Sequence, residues 1–235
     1  AAGARYDANP SLDSLAPYHM LGMIYLAAGQ PDNARKEFER ALLRAPGDPI
    51  ANQGLAQLAL SANDVASARE YYETALAAHP DDLTTLMQIA ALEARENNIE
   101  GMIARLKQAI AVHPAALEPR LSLASHYLAS AAPARVEAVF ATLSDMQRRS
   151  PRVLDLTARA QLALGHNDRA LVTLRQLVEV NPNSADARYL LAMAASESGD
   201  VQAAKKELAA GARLHPGHVP TLVGLAKIAR LEGDR

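Results

Sequence analysis

With 235 residues, 49% hydrophobic and 21% charged, the chain is too apolar to stay disordered and long enough for one or two domains or one solenoid. Its formal charge is −2 with no basic block, which removes the electrostatic face expected of a nucleic-acid binder. Cysteine is absent, excluding disulfides and thiolate chemistry, and no run approaches the roughly 18 apolar residues of a membrane span.

Taken in chain order, residues 1–14 read as the end of a preceding repeat or a linker, with Asn9-Pro10 where a closing Pro belongs. The chain is thus expected to open in mid-motif. From Leu15 to Pro46 the landmarks are Tyr18, Leu21, Gly22, Tyr25, Gly29, Ala34, Phe38, Ala41 and Pro46. They describe two helices hinged at Gly29-Gln30-Pro31, each too thin to bury its apolar face alone. The same order of small and large residues returns every 34 residues, giving units 15–48, 49–82, 83–116, 117–150, 151–184 and 185–218. Residues 219–235 read as a terminal capping helix or a truncated seventh unit.

The eighth position of each unit is Gly22, Ala56, Ala90, Ala124, Ala158, Ala192 and Ala226, small in every instance. A larger side chain there would overpack the crossing of two helices. The position before it is Leu21, Leu55, Ile89, Leu123, Thr157, Leu191 and Leu225, a core residue except at Thr157. In the second helices a small slot holds Ala34, Ala68, Met102, Val136, Ala170 and Ala204. A bulky slot four residues on holds Phe38, Tyr72, Leu106, Phe140, Leu174 and Leu208. Pro46, Pro80, Pro114, Pro182 and Pro216 close units, and Asp48-Pro49 and Ser150-Pro151 read as an N-cap followed by a first-turn Pro. Gly29, Gly165 and Gly199 suit a left-handed turn inside a unit, a place taken elsewhere by Asn63 and Asn97. The fourth unit departs: it has no closing Pro at Arg148, Leu143 replaces a small residue, and Ala131-Ala132-Pro133 replaces the Gly turn. Its second helix is expected to run on towards Arg149, with a local change of curvature near 143–152.

Period and landmark order resemble the tetratricopeptide repeat, W-x2-L-G-x2-Y…A-x3-F…P, with Tyr18 in place of the Trp. The resemblance implies an all-α fold: a right-handed superhelical solenoid of antiparallel helix pairs, with six full repeats plus a final single helix. It also implies that positions 2, 5, 6, 9, 12 and 13 of the first helices line a concave groove. By register the partner-binding wall is then Met20, Met23, Gln53, Gln57, Met87, Gln88, Arg95, Arg152, Asp155, Arg159, Tyr189, Met193 and Lys227. Met favours adaptable apolar contacts, and Arg and Tyr are the types that dominate binding hot spots. The family's Lys/Asn clamp for a chaperone's terminal carboxylate would fall on His19, Met23, Gly54, Thr84 and Gln88, so the clamp is missing.

A narrower resemblance covers 103–233. Leu117-Glu118-Pro119-Arg120-Leu121, Tyr127-Leu128, Ala160 to Gly165 and His218-Val219-Pro220-Thr221-Leu222 look like the tetratricopeptide lipoproteins of bacterial PEP-CTERM/exosortase systems. That resemblance implies a bacterial periplasmic or envelope scaffold with polysaccharide-secretion machinery among its partners.

No G-x-S-x-G, Walker A, H-E-x-x-H or dinucleotide-binding glycine pattern occurs, so no catalytic residue, metal site or cofactor is expected. His79, His113 and His215 each precede a closing Pro, a place near helix C-termini where a cation is favoured. The expected function is a non-catalytic scaffold that binds a protein or peptide segment in its groove, with no nucleic acid and no membrane span in this chain. The alternative is a cytoplasmic adaptor or chaperone-like assembly factor lacking the carboxylate clamp.

Overall fold

The computed structural model describes residues 14–233; the expected end of a preceding repeat at 1–13 lies outside the described residues. Among the described residues there are helices and turns and no strand. The chain divides after Pro114 into two compact units. The first holds α1 (Ala16–Ala27), α2 (Pro31–Leu42), α3 (Pro49–Ser61), α4 (Val65–Ala78), α5 (Leu83–Arg95) and α6 (Ile99–Val112). The second holds α7 (Glu118–Ala129), α8 (Ala134–Phe140), α9 (Asp145–Arg148), α10 (Pro151–Ala163), α11 (Asn167–Val180), α12 (Ala185–Glu197), α13 (Val201–Leu214) and α14 (Val219–Gly233).

Local chemistry sets these boundaries. Asp48, Asp82 and Ser184 accept hydrogen bonds from the N–H three residues on, at 2.8, 2.7 and 3.1 Å, and so cap α3, α5 and α12. Asp64, Asn98 and Asp200 cap α4, α6 and α13 in the same way. Ser150 has the extended backbone of a cap but its hydroxyl makes no capping bond, so Pro151 alone marks the start of α10. Between the helices of a pair, Gly29, Asn63, Asn97, Ala131, Gly165 and Gly199 all adopt φ between 54° and 85°. After each, an N–H returns to the carbonyl five residues earlier, as from Gln30 to Tyr25 and from Ala132 to Tyr127 (2.8 Å each). This is the Schellman closure, and it turns every first helix back onto its partner. Ala131 makes the turn without the freedom of Gly or Asn, at a strain of roughly 1–2 kcal/mol.

Each pair buries an interior too small to stand alone. Phe38 is fully buried between Gly22 of its own pair and Gly54 of the next. A Cβ on Gly22 would lie 2.5 Å from the ring, and one on Gly54 would lie 2.4 Å from it. One aromatic ring therefore fills the space that two absent methyl groups leave. Ala56, Ala90, Ala124, Ala158 and Ala192 are buried at the eighth position, as are Leu55, Ile89, Leu123 and Leu191 beside them. Leu21 departs from the expected core role: it is 41% exposed, because no helix among the described residues packs on that side of α1. Ala226 is exposed for the corresponding reason on α14.

Successive pairs are pinned by a recurrent bond to the closing turn of the pair before, made by the C-cap residue of α6 and α13 and, at the same register position in the fourth pair, by Gln147 of α9. The His113 imidazole meets the Asp81 carbonyl, Gln147 Nε2 donates to Ala115 at 2.8 Å, and the His215 ring nitrogen meets Asn183 at 2.9 Å. His113 and His215 are thus helix-ending clasps.

The fourth pair corrects an expectation. Its second helix does not extend towards Arg149; α8 stops at Phe140, and the chain turns through Ala141 to Leu143 before the single turn of α9. Val136 and Phe140 still fill the small and bulky slots and are buried. Beyond them, Ser144 takes up an extended backbone and forms a capping box with Gln147, starting a new helix where the old one would have continued. Arg148 donates to the carbonyls of Leu143 (3.0 Å) and Ala141 (2.6 Å), satisfying groups that the break leaves open. The nearly buried Arg120 donates to Thr142 Oγ1 at 3.0 Å and holds the bend onto α7.

Two substitutions test this packing. Gly54→Ala should lower stability by about 1–3 kcal/mol, with part of the loss recovered by Phe38→Leu in the same chain, both read from denaturant midpoints. Ala131→Gly should raise stability by about 1 kcal/mol by relieving the left-handed alanine, seen as a higher melting temperature.

Candidate functional site

In the first unit, Met20 and Met23 stand out from α1, 64% and 54% exposed, and Gln57 is exposed on α3. Met87 and Gln88 are half-buried on α5. Gln53 is already engaged, since its Nε2 donates to Asp82 Oδ2 (2.9 Å) and to Thr85 Oγ1 (3.0 Å), tying α3 to the start of α5. Arg95 donates to Asn63 Oδ1 at 3.3 Å. Gln88 Oε1 is buried without a hydrogen-bond partner among the described residues.

In the second unit, three expected groove residues meet. Arg152, Asp155 and Arg159 line one cavity of about 370 Å³ together with Ser125, Leu156 and Asp186. Helical spacing sets them on one face of α10, since residues three and four apart are neighbours. Arg159 Nε donates to Asp155 at 2.8 Å, and Arg152 reaches Glu118 of α7 at 2.5 Å. The Arg152 pair is exposed and the Arg159 pair largely so, and in water such an ion pair contributes roughly 0–1 kcal/mol and exchanges partners readily. The Leu177 side chain and the Asn181 and Ser184 turn complete the wall. Tyr189 is half-buried further along, its ring edge-on to His218 at 6.3 Å. His218 is held between Thr221 Oγ1 (2.7 Å) and Asp186 Oδ1 (3.0 Å). Met193 is half-buried and Lys227 exposed; neither lines that cavity. Asn181, Ser184 and Asp186 were not among the expected wall residues. Asp186 stands at groove position 2, so register could have found it, whereas Asn181 and Ser184 enter from the closing turn.

In the first unit a buried ion-pair network joins α4 to α5. Glu93 of α5 is buried, 6% exposed, and receives Arg69 of α4 at 2.9 Å. Asn98 donates to its second oxygen, and Arg69 also pairs with Glu96. The bond from Arg69 holds the Glu93 carboxyl below the usual carboxylate range, against the opposing effect of burial, and the same bond raises the Arg69 pKa. Burial alone raises the Tyr72 phenol. These groups sit between stacked helices and serve the fold. Among the described residues no cluster of three or more His, Asp or Glu side chains could hold a metal ion, and no helix is long and apolar enough to cross a membrane.

Tetratricopeptide repeat models match residues 19–82 and 161–228, together more than half of the chain. The chain belongs to the tetratricopeptide repeat family. Its fold is similar to that of PilF from Pseudomonas aeruginosa, with a TM-score of 0.67 at 21% identity, over 91% of this chain and 97% of that one. It is likewise similar to PilW, described as a widely conserved type IV pilus biogenesis factor, with a TM-score of 0.67 at 20% identity, over 90% and 98% of the two chains. YrrB, a tetratricopeptide protein with an unusual peptide-binding site, gives 0.63 at 17% identity over 79% of this chain and 95% of its own. No curated protein matches the chain.

Tetratricopeptide repeat proteins generally mediate protein–protein contact and are generally non-catalytic. At the family's carboxylate-clamp positions, the His19 ring is already engaged by Asp48 at 2.7 Å, and Gly54 has no side chain and is covered by Phe38.

The Glu93 network sets a pH dependence. Because the folded carboxyl titrates below its unfolded value, its stabilisation is present above the unfolded pKa and is lost as pH falls through the folded one. Glu93→Gln should therefore cost about 1–3 kcal/mol near neutrality, and the gap from wild type should close in acid, as melting curves from pH 7 down to pH 3 would show.

Proposed function

We propose that this chain is a non-catalytic scaffold that holds an extended segment of a partner protein along the first-helix face of residues 115–233. What supports the reading is the single cavity that gathers Arg152, Asp155 and Arg159, with Tyr189 farther along the same set of first helices. Among the described residues its guanidiniums pair with the exposed Glu118 and the half-exposed Asp155, so a partner's acidic or amide groups can replace those contacts at little cost. Arg and Tyr then supply bidentate hydrogen bonds and apolar area with few rotamers to freeze.

The finer placement, a bacterial envelope scaffold serving exopolysaccharide export or protein sorting, is also proposed. It is supported by the likeness of Leu117 to Leu121, Ala160 to Gly165 and His218 to Leu222 to the PEP-CTERM/exosortase-associated lipoproteins. Fractionation of the native protein decides it: recovery only from the cytosol would replace it with the adaptor reading.

Arg159→Ala combined with Tyr189→Ala should weaken capture of the native partner by about 10–100-fold while leaving helicity unchanged. Equal capture by wild type and variant in a titrated pull-down would remove the groove from consideration.

A further inference from the structure

The break in the fourth pair leaves a second cavity, away from the groove. The second helices α4, α6, α11 and α13 each run 14 residues, whereas α8 runs 7. Where its last turns would lie, a hollow of about 600 Å³ opens between α8, α10 and α11. Its floor is apolar, with Phe140, Val153 and Leu154, but Thr157 and Gln161 of α10 also line it. Thr157 stands where five of the other first helices carry Leu and one carries Ile.

Gln161 is the informative group. It is 5% exposed, and its Oε1 accepts from Thr173 Oγ1 at 2.9 Å. Its amide NH2 has no protein acceptor among the described residues and is not one of the sealed-off polar atoms, so it stays reachable from the hollow. In the register of the repeat, Gln161 occupies the place of Glu93, which Arg69 of the preceding second helix satisfies. Here the residue in Arg69's place is Glu137, and it turns instead to Arg169 at 2.7 Å. The arrangement that closes one inter-pair polar site is thus left open at the other, with its donor facing the hollow.

A further hollow of about 530 Å³ along α9 shares Arg148 and Gln176 with the first, so the two adjoin at these side chains as a trough. Its cations, Arg148, Arg149 and Arg169, outnumber its anions, Glu137 and Asp145. We propose that this trough is a second binding site, distinct from the groove, for an extended acidic peptide segment. A carboxylate side chain enters over Gln161 and accepts from its amide, while the segment's backbone runs along α9 past Arg148. The occupant must bring acceptors, because the open position at the floor is a donor and the rim carries a net positive charge.

The full chain, labelled with nitrogen-15 and titrated with acetyl-Glu-Leu-Glu-amide, should show a saturable shift of the Gln161 side-chain amide signals. Thr157→Leu restores the residue type common at that position and fills the hollow, so it should keep the melting temperature and lose about tenfold or more in affinity. Gln161→Glu should lose at least as much, whereas Arg159→Ala in the groove should change nothing. Unmoved Gln161 signals at millimolar peptide, unchanged affinity in Thr157→Leu, or loss of affinity in Arg159→Ala would overturn the site. Equal binding of acetyl-Gln-Leu-Gln-amide or of free glutarate would overturn its assignment to an acidic peptide.

Discussion

The structure depends on how closely two helices can approach when the residue at their crossing has almost no side chain. At Gly22 and Gly54 the approach is close enough for the Phe38 ring to occupy the place of both missing methyls. At Ala56, Ala90, Ala124, Ala158 and Ala192 a methyl is tolerated and nothing larger is present. A single pair of such helices buries too little to fold alone; stability comes from summing pair interiors with the contacts between neighbours. That is why the small residue returns at each repeat while its surroundings vary.

Closing the pairs and joining them are separate tasks, handled by different chemistry. The left-handed turns reverse the chain within a pair, and five of the six use Gly or Asn, which reach that conformation at low cost. The joints between pairs use side chains. His113, Gln147 and His215 reach back to carbonyls, Gln53 bridges to Asp82 and Thr85, and Arg69 reaches forward to Glu93. Polar groups that would be costly if buried alone are paired across the joint, so the joint is specific as well as apolar. The pair that breaks this scheme, with Glu137 and Gln161 at the places of Arg69 and Glu93, is the one beside a shortened helix and an open hollow.

Much of this was legible in the residues. Small, bulky and Pro positions at one period specify helix pairs, because each landmark has a direct steric meaning: a crossing, a filled slot, a stop. The cluster of Arg152, Asp155 and Arg159 was also legible, since helical spacing alone puts them on one face. Three things were not. Leu21 fits the core pattern, yet its burial depends on a neighbour on the far side of α1. His113 and His215 fit a helix-end preference, yet their acceptors lie in the preceding pair. The fourth second helix keeps both its slot residues and its register, and the bulky Leu143 in place of a small residue does not by itself say that the helix stops at Phe140. The signal was the Ser144 and Gln147 capping box, a local pattern that competed with helix continuation and won.

The repeat, its length and the face of each helix were already written in the residues, because these follow from spacing and side-chain size within a single helical pair. The tertiary structure decided which polar groups found partners and which surfaces stayed open. Those outcomes depend on side chains from different pairs, such as Gln161 against Glu137 and Arg169 or Arg152 against Glu118, whose distances are set only once the pairs are stacked.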